Sequence, residues 1–168
     1  TSEVGYEALY WIPFLHWAID HYRIDRQRVV AISRGGTEDW YRGIASRYID
    51  IFDDLGTEEF TSEMRERRER GDQKQATPSP FDDRLVATAA HRLGLDAPGV
   101  WHPGLMYELF RAFWYGDRAL QFLLRHTDFA RAQRALASAL REPGPTVPPL
   151  PASRAFARPS AVCPFTLW

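Results

Sequence analysis

Along residues 7–22, EALYWIPFLHWAIDHY, apolar side chains fall on nearly every side of a helical wheel, the pattern of a helix buried between layers. Pro13 either kinks this helix or stands in its first turn. After a polar break at RIDRQR, Val29 to Ile32 is a short continuous run rich in β-branched residues, which predicts an interior parallel strand. Thr37 is placed to cap a following helix, with Glu38 and Asp39 at its positive end and Trp40, Tyr41, Ile44 and Ala45 as its buried stripe. RYIDIFD predicts a second strand with Ile49 and Ile51 on one face. Helix, strand, helix and strand in this order imply a parallel sheet covered on both faces, hence an α/β fold, with one more strand expected just before Thr1.

Downstream the pattern becomes helical. Thr57 is expected to cap a helix with two glutamates in its first turn and a dense mixture of charges behind them, a solvated helix fading into a loop. Phe81 to Leu93 is an amphipathic helix closed by Gly94. A very short strand at Val100 and Trp101 precedes two further helices, Leu105 to Trp114 and Asp117 to Leu140. Residues 142–151, EPGPTVPPLP, hold five prolines in ten positions, which forbids helix and favours a stiff, extended linker. The expected organisation is one domain over residues 1–141, a linker over 142–151, and an irregular tail or the start of another domain over 152–168. A chain that opens on Thr1 and stops at Trp168 within an apolar stretch suggests a piece of a longer protein.

Composition narrows the function classes. With 21 basic and 22 acidic residues the formal charge is −1, so no global field draws the chain to nucleic acid or an anionic membrane. The single cysteine, Cys163, excludes an internal disulfide framework and favours a cytoplasmic setting. The apolar run around Trp11, interrupted by Pro13 and His16, falls short of the roughly 20 residues that span a bilayer. Trp11, Trp17, Trp40, Phe110, Phe113 and Trp114 recur at helical spacing and are assigned to the core.

The common phosphate-loop, dinucleotide, metalloprotease and nucleophile-elbow motifs are absent from the sequence, and the five histidines lie on separate elements or faces, so no metal site is expected. Position is then the remaining guide. In open α/β sheets, ligands bind beyond the carboxyl ends of the strands, where helix N-termini attract anions. Ser33-Arg34-Gly35-Gly36 follows the first strand, and Ser2-Glu3-Val4-Gly5 would lie on the same rim. The glycines permit close backbone approach, and Arg34 offers a forked donor for phosphate or carboxylate; alternatively the glycines only turn the chain and Arg34 makes a surface ion pair. Glu3 and Glu7 are candidates for a general base or for helix-capping acids. His102, ahead of another helix with Tyr107 in it, either contacts a sugar hydroxyl or phosphate or packs beneath Trp101.

Taken together, SEVGYEALYWIPFLHWA, RVVAISRGGTEDWYRGIA, YIDIFD and HPGLMYELFRAFW resemble a group of bacterial glycosyltransferases of the two-domain GT-B type, over roughly residues 2–150. The resemblance implies a Rossmann-like acceptor-side domain, incomplete at its start, with the proline-rich linker leading to a sugar-nucleotide domain. It implies a nucleotide sugar as co-substrate, held mainly by that other domain, a glycan or glycolipid acceptor, and no metal or other cofactor. Glu3 stands where such enzymes carry the acid that deprotonates the acceptor, with Ser2, Gly5, Glu7, Ser33, Arg34, Gly35, Gly36, His102 and Tyr107 as binding residues. A glycolipid acceptor would bring peripheral association with a membrane. The tail ASRAFARPSAVCPFTLW departs from the strand expected to open the second domain. Two rival expectations are a non-catalytic α/β module that binds a glycan or phosphosugar or serves as a partner scaffold, and a sugar-nucleotide epimerase or hydrolase of the same architecture.

Overall fold

The computed structural model describes residues 4–71 and 76–139. The fold is mixed α/β with helix dominating: a two-stranded parallel sheet carries helices on both of its faces. Ser2, Glu3, the proline-rich linker over 142–151 and the tail over 152–168 lie outside the described residues.

The apolar N-terminal run forms one continuous helical rod, but not a uniform one. A single turn, α1 (Val4–Tyr6), leads into a π-helical turn at Glu7–Trp11 and then into α2 (Ile12–His21). Pro13 explains the widened turn. Its ring would collide with the carbonyl one α-turn earlier and it has no N–H to donate, so the backbone opens and Ile12 N–H reaches Glu7 O, five residues back. Pro13 thereby occupies the first turn of α2, where its missing donor costs least.

β1 (Val30–Ser33) and β2 (Arg47–Asp50) pair in parallel, with Val30 opposite Arg47 and Ser33 opposite Asp50. Alternation along β1 divides the core. Ala31 joins a cluster built from α2, α5 (Gly104–Trp114) and α7 (Phe129–Ala139), in which Ile12, Met106 and Phe110 are fully buried. Ile32 instead packs on the smaller cluster of Ile51, Leu55 and Phe81, contributed by the turn after β2 and by α4 (Pro80–Leu93), with Phe60 and Met64 of α3 (Thr57–Glu69) alongside. Trp11 and Phe110 are buried, and Trp17, Trp40, Phe113 and Trp114 pack on the first cluster, which places the aromatic set in the core.

Several elements differ from the sequence expectation, each for a local reason. The helix expected after Thr37 is only a 3₁₀ turn, Glu38–Tyr41, because the Thr37 hydroxyl bonds back to the Arg34 carbonyl at 2.8 Å instead of capping, and Gly43 turns the chain at φ +73°. Ile51 leaves the second strand for a 3₁₀ turn, Ile51–Asp53, although both Ile49 and Ile51 are buried as expected. Thr57 is the first residue of α3 rather than its cap, and Gly56 holds the cap position. Val100 and Trp101 form no strand. The helix expected over Asp117 to Leu140 is broken into α6 (Leu120–Leu124) and α7, with Asp128 N–H bonded to the Pro13 carbonyl at 2.9 Å between them. α4 follows the expected helix and its closing Gly94, at φ +63°, while its start adds a reciprocal capping box of Ser79 and Asp82 where the sequence pattern reads only as a break.

One buried ion pair ties the smaller cluster together. Arg67, at 5% exposure on a helix whose other charged residues are partly or fully exposed, donates to Asp82 at 2.9 Å. Asp82 also accepts from the Ser79 hydroxyl at 2.7 Å and the Ser79 N–H at 2.9 Å. Burial opposes ionisation of Asp82, but the His102 ring, the Ser79 donors and the Arg67 charge outweigh it and hold the carboxyl well below the usual carboxylate range.

Candidate functional site

The carboxyl end of β1 is where buried polar chemistry collects. Glu7 is completely buried at the widened turn, and its Oε1 accepts from the Ser33 hydroxyl at 2.7 Å and the Tyr41 hydroxyl at 2.7 Å. Oε2 faces Arg34 Nη2 at 3.4 Å, a longer contact that still supplies the opposite charge a buried carboxylate requires. Three separate segments meet at this acid: the N-terminal rod, the end of β1 with its following loop, and the 3₁₀ turn carrying Tyr41. Burial first, and then the charge of Glu7, push the Tyr41 hydroxyl well above its ordinary pKa, so it stays protonated and donates.

The loop beyond Ser33 is held by its own carbonyl. Arg34 O accepts from Thr37 Oγ1 at 2.8 Å and from the Tyr48 hydroxyl, which anchors the turn to β2. Gly36 sits at φ +79°, where a β-carbon would be strained, and a β-carbon on Gly35 would come within 3.0 Å of Asp50 Oδ2. Gly36 is therefore favoured by the turn itself, and Gly35 lets the loop approach the Asp50 side chain at the end of β2 closely. Arg34 keeps its side chain about one-fifth exposed beside the rim while Nη2 faces Glu7.

A cavity of about 310 Å³ adjoins this cluster, with Ser33 and Tyr41 in its wall. Its other polar wall residues include Asp82 and His102, and the rest is predominantly aliphatic. His102 Nδ1 accepts from Gly104 N–H at 3.0 Å, so its proton belongs on Nε2, which points toward Asp82 Oδ2 at 3.6 Å. With Nδ1 engaged by the backbone, the ring braces the start of α5 against the α4 cap. Gly104 fits this brace closely, since a β-carbon there would lie 2.3 Å from the Ala76 carbonyl oxygen.

Of the residues singled out in the sequence, Glu7, Ser33 and Arg34 are brought into one cluster and Gly35 and Gly36 form the adjoining loop. Gly5 lies on exposed α1 with open space around it. His102 touches the same cavity but belongs with Asp82. Tyr107 packs in the aromatic core, its ring 5.4 Å from Tyr6 and 5.5 Å from Trp114. Tyr41 is the residue that sequence reasoning placed only in a buried stripe; its phenol is the signal, because a buried tyrosine hydroxyl requires a partner.

Among the described residues no group of three metal-binding side chains converges, and no helix is long and apolar enough to cross a membrane. No protein-family model, curated protein or solved structure matches the chain.

Proposed function

We propose that the chain is the acceptor-binding, Rossmann-like part of a glycosyltransferase that moves a sugar from a nucleotide sugar to a hydroxyl of a glycan or glycolipid. The observation that carries this reading is the convergence of Glu7, Ser33 and Arg34 at the carboxyl end of a parallel strand, the rim on which α/β sheets bind ligands. The resemblance of the surrounding phrases to the two-domain transferases supports the substrate class. In this reading residues 1–141 form the acceptor domain, residues 142–151 the linker, and a further domain binds the donor.

The roles divide by accessibility. Glu7 is fully enclosed by donors and acts as the organiser of the rim, whereas the acceptor hydroxyl loses its proton to Glu3. The exposed part of Arg34 and the backbone of Gly35-Gly36 hold an anionic or polyhydroxylated group, and charge on the departing nucleotide phosphate is neutralised by basic side chains and helix termini.

The test is a transfer assay on the full-length protein with labelled nucleotide sugars. Arg34→Ala and Glu3→Gln each lower transfer by about a hundredfold or more, the range expected when a charge-stabilising group or a general base is lost. Undiminished transfer by both variants removes the site assignment. Absence of transfer by the wild type, together with retained glycan binding, favours the rival reading that the full burial of Glu7 also supports: a binding module whose acid is purely architectural.

A further inference from the structure

The carboxyl end of β2 brings two further side chains to the rim, neither of them part of the Glu7 cluster. Asp50 is the last residue of β2 and stands opposite Ser33 in the register, and Phe52 follows it in the 3₁₀ turn Ile51–Asp53. Both reach the loop that leaves β1. A β-carbon on Gly35 would lie 3.0 Å from Asp50 Oδ2 and 3.6 Å from the Phe52 ring, so a carboxylate oxygen and an aromatic edge border the bare backbone of Gly35.

Asp50 is held in place with half of its accepting capacity unused. Its Oδ1 accepts from the Phe52 N–H at 2.9 Å, which fixes the half-buried carboxylate at the head of the turn. Among the described residues Oδ2 meets no hydrogen-bond donor and the side chain forms no ion pair. By contrast Asp53 and Asp54, in and just after the same turn, both meet Arg92.

Phe52 departs from its neighbours in a similar way. Ile51 enters the smaller core cluster and Phe60 packs on it, whereas Phe52 joins neither cluster and stays 37% exposed. Its contact with Phe60 is edge-on, at 5.3 Å between ring centres and 75° between planes. The N–H groups of Gly35 and Gly36, two exposed residues, donate to no acceptor among the described residues. An acceptor, peptide donors and a partly exposed ring are what a sugar requires, because its hydroxyls both donate and accept while its C–H face is apolar. The charge on Asp50 repels a phosphate, so the ring that fits here is a neutral one.

We propose that Asp50, Phe52 and the Gly35-Gly36 backbone form a subsite for a neutral pyranose ring of the acceptor glycan. Adjacent hydroxyls donate to Asp50 Oδ2 and accept from the glycine N–H groups, and the C–H face lies on Phe52. The inference rests on the reading of this rim as the acceptor side, and it names the class of acceptor.

The experiment titrates the full-length protein with the methyl pyranosides of glucose, galactose, mannose and N-acetylglucosamine, followed by nitrogen-15 shifts. The expected result is saturable binding of at least one glycoside, with shifts at the amides of Gly35, Gly36 and Phe52. Asp50→Asn keeps an acceptor for the Phe52 N–H, and Phe52→Leu keeps an apolar contact for Phe60; each weakens binding at least about tenfold. Tyr115→Ala, which removes a ring 76% exposed in the turn after α5, leaves the affinity unchanged. Unweakened binding by either folded rim variant overturns the proposal. So does saturable binding that leaves the three amides unmoved, and so does saturable binding by none of the four glycosides; the wild-type map alone decides should a variant fail to fold. The subsite and the transferase reading fail separately. Sugar transfer whose acceptor KM is unchanged by Asp50→Asn removes the subsite alone, and glycoside binding at these amides without transfer by the wild type removes the transferase alone.

Discussion

The Glu7 carboxylate and the Ser33 hydroxyl lie 2.7 Å apart, joining the widened turn of the N-terminal rod to the last residue of β1. The bond is buried, so it fixes the angle at which the rod enters the sheet and does so in a medium where an unpaired partner is expensive. Tyr41 donates to the same oxygen, and loss of the acid strands two hydroxyls at once.

Glu7→Ala is therefore expected to lower unfolding free energy by about 2–4 kcal/mol, combining unsatisfied buried donors with a cavity. Urea denaturation followed by circular dichroism measures it. A midpoint equal to that of the wild type would show that the cluster is not buried as described. Ser33→Ala removes one donor and leaves the acid partnered by Tyr41 and Arg34, so a smaller loss of about 1 kcal/mol is predicted.

His16 gives a pH dependence of definite sign. It is 1% exposed and neither ring nitrogen has a hydrogen-bond partner among the described residues; burial first, and then the Arg131 charge, lower its pKa to about 4. Its unfolded value is 6.5, so the unfolded chain binds more protons between these limits and stability falls as pH drops from 6.5 toward 4. Between pH 7 and pH 5, above the usual titration of the carboxylates, about 2 kcal/mol is lost to this residue. In His16→Leu the corresponding segment of the stability profile flattens. A variant whose pH 7 to pH 5 slope equals that of the wild type contradicts the assignment.

The two glycines nearest to function-bearing loops predict an ordered pair of effects. Gly36→Ala meets open space and only a strained φ of +79°, a cost of about 1 kcal/mol. Gly104→Ala drives a β-carbon to 2.3 Å from the Ala76 carbonyl, so the 102–104 brace must shift, and about 2–3 kcal/mol or more is expected. Thermal unfolding of the two variants side by side checks the order; the reverse order would refute the close approach at Gly104.

Asp82→Ala leaves Arg67 buried without its counter-charge and removes the side-chain acceptor of the α4 capping box, so a loss of about 3–5 kcal/mol is predicted. Arg67→Met, which leaves Asp82 its Ser79 donors, is expected to cost less. Equal effects in chemical denaturation would mean that the ion pair, and not the cap, dominates.

How far these features were legible depends on range along the chain. The end of α4 is local, and the Gly94 stop announces it. The parallel strands were legible because Val29 to Ile32 and RYIDIFD are apolar runs of strand length. The turn after Thr37 was not, since the competitor for its hydroxyl is a carbonyl only three residues away whose geometry depends on Tyr48 in the next strand. In the same way, Arg67 looked like one more charge on a solvated face; its burial is set by Asp82, fifteen positions along the sequence. The rim itself was legible as a position, but spacing could not distinguish a solvent-facing Glu7 from one enclosed by Ser33, Tyr41 and Arg34.

The most direct measurement of the central claim is nitrogen-15 NMR of the full-length protein titrated with nucleotide sugars, sugar phosphates and oligosaccharides. The account predicts saturable shift changes concentrated at the amides of Ser33, Arg34, Gly35 and Gly36 for at least one of these, abolished by Arg34→Ala while the remaining spectrum stays folded. Saturable shifts that leave residues 33–36 unmoved, or no saturable shift with any of the three classes, would contradict it.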